Sequence, residues 1–510
     1  MKKLVALTLV ALLVVGVVGT VFAADTTFEG AYRVRAWTEW NFDKEVEDIG
    51  APGVAPSHED GLYTGFFDQR FRLTITHTRS EYLKAVIRLD IVEDTWGTGS
   101  AFRINGNNAN YIDRAYIEFT VPPVGTFTVG RFFEGYGNLF TFDTAGDGAR
   151  WSNAWGPVAV SLSYFKVSDR VTLANAQAND WYNWDADVVG LNIKASPFYE
   201  GHTLEVYGGV LWDEDASGNS GLGGVLFNSL AWTGNGGYYD AWVGFVGVGY
   251  DLNIADMIDL NVEASWLFGD ADGHWISGAG FGNPYNTGVP VNNARSSLDI
   301  SGWNVYADLS YYNDLLRVGV AFAMGSGQEH NWGNNAQWEH VNMNWVTNDS
   351  NFVFAHIITG NSGGSSSIWG GGIMSNNSLE NITAIKGYFE VCPMDKLTIS
   401  GAVIWAMWTE DIGWNGGAAR GGLFAPDRPG YGHPISYYSN NYTYNSWEIS
   451  DDLGWEIDLA ISYEIMEGLT YTFEGGVLFT GDSFDYEKAD GTRGDWGEIW
   501  SIVNTLQYEF

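Results

Sequence analysis

Cysteine is almost missing: Cys392 is the only one in 510 residues. That excludes a disulfide framework and any CxxC-type metal or haem site. Its neighbours Pro393, Met394 and Asp395 read as a turn, which makes the thiol a bystander. Basic residues are scarce too. Lysine and arginine total 25 against 62 acidic residues, for a formal net charge of −37. Such a chain lacks the basic surface that nucleic acid requires, and it does not dock peripherally on anionic lipid. Beyond residue 23 no apolar run approaches the roughly 20 residues of a spanning helix. Strong helix formers are sparse. No cofactor motif and no catalytic constellation is found, so the chain is not expected to be an enzyme. Gly360-Asn361-Ser362-Gly363-Gly364 has the look of a serine nucleophile motif, but it lies in low-complexity Gly/Ser sequence with no His/Asp pair in fixed relation to it. It reads as a loop.

What is present points to strands. The chain holds 65 Gly, 24 Trp, 27 Tyr and 28 Phe. Aromatics serve a transmembrane β-barrel as interfacial girdles, and glycine permits tight turns and strand curvature. Met1–Ala23 reads as a secretory signal: Lys2 and Lys3, an apolar core from Leu4 to Val18, and Val21-Phe22-Ala23 as a cleavage site. Residues 24–510 share one texture and are expected to form a single domain.

Hydrophobic alternation at period two recurs along the whole chain. It yields eighteen candidate strands, at 27–42, 67–76, 83–91, 115–121, 126–133, 150–155, 158–166, 185–195, 203–212, 241–252, 259–268, 302–312, 315–324, 382–391, 397–409, 453–463, 469–480 and 502–510. Connections alternate between short turns, such as Asn313-Asp314 and Met466-Glu467-Gly468, and long Gly-, Asn- and Asp-rich segments. The predicted fold is all-β: a single antiparallel up-and-down barrel of about 18 strands, with long external loops and short periplasmic turns. An even strand count after signal cleavage puts both termini on the periplasmic side.

The last strand alternates Ile502, Leu506, Tyr508 and Phe510 against Val503, Thr505, Gln507 and Glu509. It resembles the closing strand of Gram-negative outer-membrane barrels, which implies that Tyr508 and Phe510 form the signal read by the barrel-assembly machinery. GWEIDLAISY (454–463), LTYTFEGGVLFTGD (469–482) and the Val129-Gly130-Arg131 step resemble alginate-export-type porins. That resemblance covers about a tenth of the chain and implies eighteen strands and a polysaccharide-exporting pore. No site residue is carried over from it.

Inward positions of a barrel must be the polar ones, since a mid-membrane cation on the lipid face costs ~2–4 kcal/mol. On that rule Arg33, Arg35, Arg70, Arg72, Lys84, Arg88 and Arg114 face the lumen as a cationic wall. Glu263, Asp308, Glu390, Glu456, Asp458 and Glu474 face it as an acidic wall. The segment Glu134–Gly148 is apolar for a loop, and Tyr136, Phe140, Phe142 and Asp143 mark it as a candidate constriction or a rim-packed loop. Asp213-Glu214-Asp215-Ala216-Ser217-Gly218 begins like a calcium loop, but Gly224 stands where the bidentate Glu belongs. It reads as a plain acidic loop, and no metal is expected. Trp181, Trp184, Trp232, Trp275, Trp332, Trp338, Trp345 and Trp369 fall in or beside the loops, to stack on one another or on sugars.

The functional expectation is an outer-membrane porin for passive diffusion of small hydrophilic solutes, anions or sugars among them. The alternatives are an export pore for an acidic polysaccharide and a plugged barrel serving as a surface scaffold. Expected partners are outer-membrane lipid and lipopolysaccharide, the assembly machinery and the solute, with a homo-oligomer open. No cofactor and no nucleic acid are expected.

Overall fold

The computed structural model describes residues 25–41, 63–96, 112–169, 185–196, 201–213, 237–275, 296–327, 340–342, 346, 352–359, 379, 381–410, 450–484, 486–487, 493–494 and 497–510. The signal segment, residues 214–224 and 360–364, and all the loop tryptophans named above except Trp275 lie outside them. Eighteen antiparallel strands form the wall: β1 Asp25–Trp40, β2 Tyr63–Ser80, β3 Leu83–Thr95, β4 Ile112–Val121, β5 Gly125–Gly135, β6 Asp143–Trp155, β7 Val158–Asp169, β8 Asp185–Ala195 and β9 His202–Asp213, then β10 Gly237–Ile254, β11 Ile258–Trp275, β12 Ser296–Tyr312, β13 Leu316–Gly325, β14 Ile382–Met394, β15 Leu397–Trp408, β16 Asp452–Met466, β17 Leu469–Thr480 and β18 Glu498–Glu509. Each pairs with its successor. The sheet closes because β1 pairs with β18 as well as β2, from Ala31 opposite Glu509 to Trp40 opposite Trp500. A three-residue strand, 340–342, continues alongside β12 in parallel beyond the end of β13.

Period two is what builds this wall. On β16, Trp455, Ile457 and Leu459 are exposed on the outside, while Glu456 between them is fully buried inside. The outer face is apolar where it meets its surroundings: Trp266, Leu309, Val320 and Ile117 are each more than half exposed. An exterior of this kind suits lipid. Aromatics gather toward its two edges. Phe119 stacks on Phe127 at 5.3 Å near the short turns, and Trp266 is the register partner of Trp303 further up.

Most strands run past the expected bounds, and two of these differences reshape the lumen. Strand β6 begins at Asp143 rather than Arg150, and β5 runs through Gly135, so the predicted 134–148 loop contracts to residues 136–142. Gly146 and Gly148 occupy inward positions of β6, where Phe165 covers them. A Gly-rich run that reads as a loop is thus strand, because a neighbouring ring fills the space that its side chains leave empty.

Candidate functional site

Two loops fold into the barrel instead of outward. The first, residues 136–142, joins β5 to β6. Leu139 (φ 69°) and Gly137 (φ 56°) take left-handed conformations that reverse the chain tightly. Tyr136 stacks on Phe142 at 5.3 Å, on Tyr207 of β9 at 5.6 Å and against Phe245 of β10 at 5.9 Å. Its hydroxyl meets Ser163 Oγ at 3.0 Å, in space kept open by Gly190. Burial pushes the Tyr136 phenol up. At the tip, Asn138 N donates to Glu263 Oε2 at 2.5 Å, and its side-chain amide donates to Glu263 at 2.7 Å and Asn261 at 2.8 Å. Thr141 Oγ1 lies 2.6 Å from Ser265 Oγ. Glu263 sits on β11, six strands around the wall from β5. The loop therefore crosses the lumen, and Tyr136, Phe140 and Phe142 are buried there. Asp143 is not in the loop; it opens β6 and is also buried.

The second, residues 352–359, lies in the connection between β13 and β14 and went unrecognised in the sequence. Ile357 N and Ile358 N donate to the two carboxylate oxygens of Glu456 at 2.6 and 2.8 Å. His356 N donates to Asp458 Oδ2 at 3.2 Å, and its Nε2 lies 3.2 Å from Ser501 Oγ of β18. Lys386 Nζ of β14 donates to Phe354 O at 2.8 Å. Burial holds the His356 ring below its ordinary pKa, against the attraction of Asp458 and Glu474. A signal was available: Phe352-Val353-Phe354-Ala355-His356-Ile357-Ile358 is too apolar to stand in water among Gly, Ser and Asn. The two loops meet against Tyr306 of β12, where Phe140 contacts Phe352 edge-on at 5.3 Å and Tyr306 packs on Phe352 at 5.6 Å.

These contacts change the meaning of the acidic wall. Glu263, Glu456 and Asp458 are inward, but Glu263 and Glu456 are buried and Asp458 half-buried beneath the loops, and all three hold loop amides. Asp308 accepts from Tyr388 at 2.7 Å and Tyr306 at 3.3 Å. Glu474 faces Ala460 and Val503 in the register, and Glu390 faces Arg317 and Ser400. What the sequence suggested as a free acidic surface is largely a set of loop anchors.

The basic side also differs from a plain cationic wall. The register puts all seven predicted cations on the inner face of β1–β4, but acids are interleaved among them. Arg35 Nη2 meets Asp68 at 2.9 Å, Arg72 Nε meets Asp90 at 3.0 Å and Lys84 Nζ meets Glu118 at 2.8 Å. Arg88 and Arg114 share Asp113. Asp113 reaches inward because a register shift between β3 and β4 turns it out of the alternation. Arg33 and Arg70 are register partners of one another. Arg150, on β6, adds a further pair with Glu134 at 3.1 Å. The cations of these pairs are part-exposed, whereas Asp68 and Glu134 are buried against them. At the short-turn end the inner surface holds a cavity of about 500 Å³, lined among others by Thr126, Ser152, Ser161, Asn192 and Lys194.

Tyr508 and Phe510 end the chain on the outer face, their rings stacked at 5.6 Å. Phe510 N donates to Gly30 O at 3.0 Å and Gly30 N to Phe510 O at 2.9 Å.

No protein-family model matches this chain, and no curated protein matches it. Among solved structures, it is similar to OccK11 (OpdR) of Pseudomonas aeruginosa, at 12% identity over 95% of this chain and 96% of that one, with a TM-score of 0.44. It is similar to a BenF-like porin from Pseudomonas fluorescens Pf-5, at 10% identity over 95% and 98%, with a TM-score of 0.47. OpdK of Pseudomonas aeruginosa follows at 9% identity over 95% and 99%, with a TM-score of 0.44. The resemblance to alginate-export-type porins finds no support in these comparisons.

Proposed function

We propose that this chain is an outer-membrane porin that passes small hydrophilic solutes by passive diffusion. The observation that carries the reading is the division of the lumen. Two anchored loops are held by strands within β7–β18, while the Arg35, Arg72, Lys84, Arg88 and Arg114 side chains of β1–β4 stay part-exposed. A solute then travels along a ladder of ion pairs facing the loop junction at Phe140 and Phe352. Paired charges keep that ladder hydrated and set a transverse field without a strong net sign. The apolar exterior supports a barrel that sits in lipid, with lipopolysaccharide as its proposed contact on the external side. The exposed aromatic end at Tyr508 and Phe510 supplies the assembly signal. Export of an acidic polysaccharide is not favoured, since the loop junction divides the lumen.

Purified protein in planar bilayers tests the reading. Stepwise conductance, together with swelling of liposomes in small sugars and small organic anions, is the expected result. A folded, inserted barrel that conducts nothing would instead be a plugged scaffold.

A further inference from the structure

The cavity of about 500 Å³ at the short-turn end is built on a row of register partners. Thr120 of β4 faces Thr126 of β5, Thr126 faces Ser152 of β6, Ser152 faces Ser161 of β7, and Ser161 faces Asn192 of β8. Period two aims all five into the lumen, since their neighbours Leu162 and Leu191 are exposed on the outer face. Every member carries a hydroxyl or an amide, and none is charged. Across four strand spacings the row runs about 19 Å. Ala154 and Ala159, partners in the next row, are small and leave the space beside it open. Charge enters the lining only at Lys194, whose Nζ lies 3.3 Å from Glu205 Oε2.

The row has hydrogen-bonding capacity to spare. Thr120 Oγ1 and Thr126 Oγ1 lie 2.9 Å apart. One bond between two hydroxyls leaves further donor and acceptor positions on both. Asn192 is 8% exposed. Its Nδ2 donates to Glu205 Oε1 at 2.7 Å, while its Oδ1 has no hydrogen-bond partner among the described residues. The rim is tied down. Trp151 Nε1 donates to Val124 O at 3.0 Å and Asn153 Nδ2 to Pro123 O at 3.2 Å. Gly125 (φ 131°) has no room for a side chain against Ser152 O. Walls already ordered lose little freedom when a ligand arrives.

We infer that this cavity binds a neutral sugar, a mono- or disaccharide, on its way through the barrel. Hydroxyls and amides both donate and accept, and sugar hydroxyls answer them in kind. The volume lies within the range of small-ligand sites, about 300–1,000 Å³. A carboxylate solute would want a charged donor. Lys194 is already paired with Glu205, and the adjoining Lys84 with Glu118 at 2.8 Å. Sugar as the solute class of the proposed porin rests on that reading, whereas binding itself needs no open pore.

The test is ligand-observed saturation-transfer NMR on the full-length barrel in detergent. The probes are glucose and maltose, with gluconate as the anionic counterpart of glucose. Both sugars should bind at least tenfold more tightly than gluconate. S152A/S161A should weaken them about tenfold, and A159W, which fills the cavity, should abolish binding. S462A/T472A removes another inward hydroxyl pair, 3.0 Å apart on β16 and β17 and outside the cavity, and should change nothing. Heat-modifiable mobility confirms that each variant is folded. A folded barrel that binds no sugar, gluconate bound as tightly as glucose, or equal weakening by the two double variants would overturn the inference. Bilayer recordings separate it from the porin reading. A barrel that binds sugar without conducting keeps the site and removes the porin, and one that conducts without binding sugar does the reverse.

Discussion

An arginine beside a carboxylate is a different object from an arginine alone, and the lumen is built from the first kind. Neutralising Arg70, Arg72 and Arg88 together removes three cations and takes Arg72 from Asp90 and Arg88 from Asp113. Reversal potentials under a salt gradient should move clearly toward cation preference. The change should shrink near 1 M salt, where the Debye length falls to about 3 Å; an unchanged potential would place the ion path elsewhere. Glu456 makes a second case. Its two hydrogen bonds to loop amides are worth about 0.5–1.5 kcal/mol each. Glu456→Ala should release the 352–359 tip and raise single-channel conductance or its noise, with the barrel still folded. His356 adds a dependence on pH. The docked ring has a lowered pKa, so the released loop binds a proton near pH 6.5 where the docked loop does not. Docking is fully supported above that pH and weakens as pH falls through it. The His356 contribution, read as the conductance difference between wild type and His356→Asn, should therefore grow between pH 7 and 5. None of this pairing was legible in the sequence. Alternation assigns a side chain to a face, but partner identity depends on register, and Asp113 escapes the alternation through a register shift.

At the scale of elements, period two located all eighteen strands, because each must present apolar groups on one side and polar groups on the other over ten or more residues. It failed at ends and in loops, where the rule no longer applies. Strand β6 was truncated because glycines carry no pattern, although Phe165 supplies their missing bulk. The 352–359 tip was passed over because it is short and irregular, even though its apolar content is out of place for water. Strand β18 carries the clearest element-level prediction. Phe510, the residue after it, is bonded to Gly30 by two backbone hydrogen bonds, and the Phe510 ring lies over that glycine. Deleting Phe510 should reduce the yield of heat-modifiable barrel in the outer membrane far more than removing one residue from a long loop. Equal yields would show that closure does not use this end.

Taken whole, the molecule is a wide cylinder narrowed by two fasteners of one design, each a loop tip whose backbone amides are held by carboxylates on distant strands. Removing residues 352–359 should increase conductance several-fold, whereas the same deletion in the 41–62 connection should not; bilayer recordings of the two variants decide it. The closing seam has a consequence of its own. β1 meets β18 with Arg33 opposite Gln507 and Arg35 opposite Thr505, so the last joint to form runs through the ion-pair ladder. Until it forms, the sheet has two open edges, and the edge at β1 displays inward-pointing arginines. Charges at an unpaired edge discourage sideways joining with stray strands. Arginines that line the finished lumen would thus also keep the β1 edge of the unfinished sheet from joining a stray strand before β18 arrives.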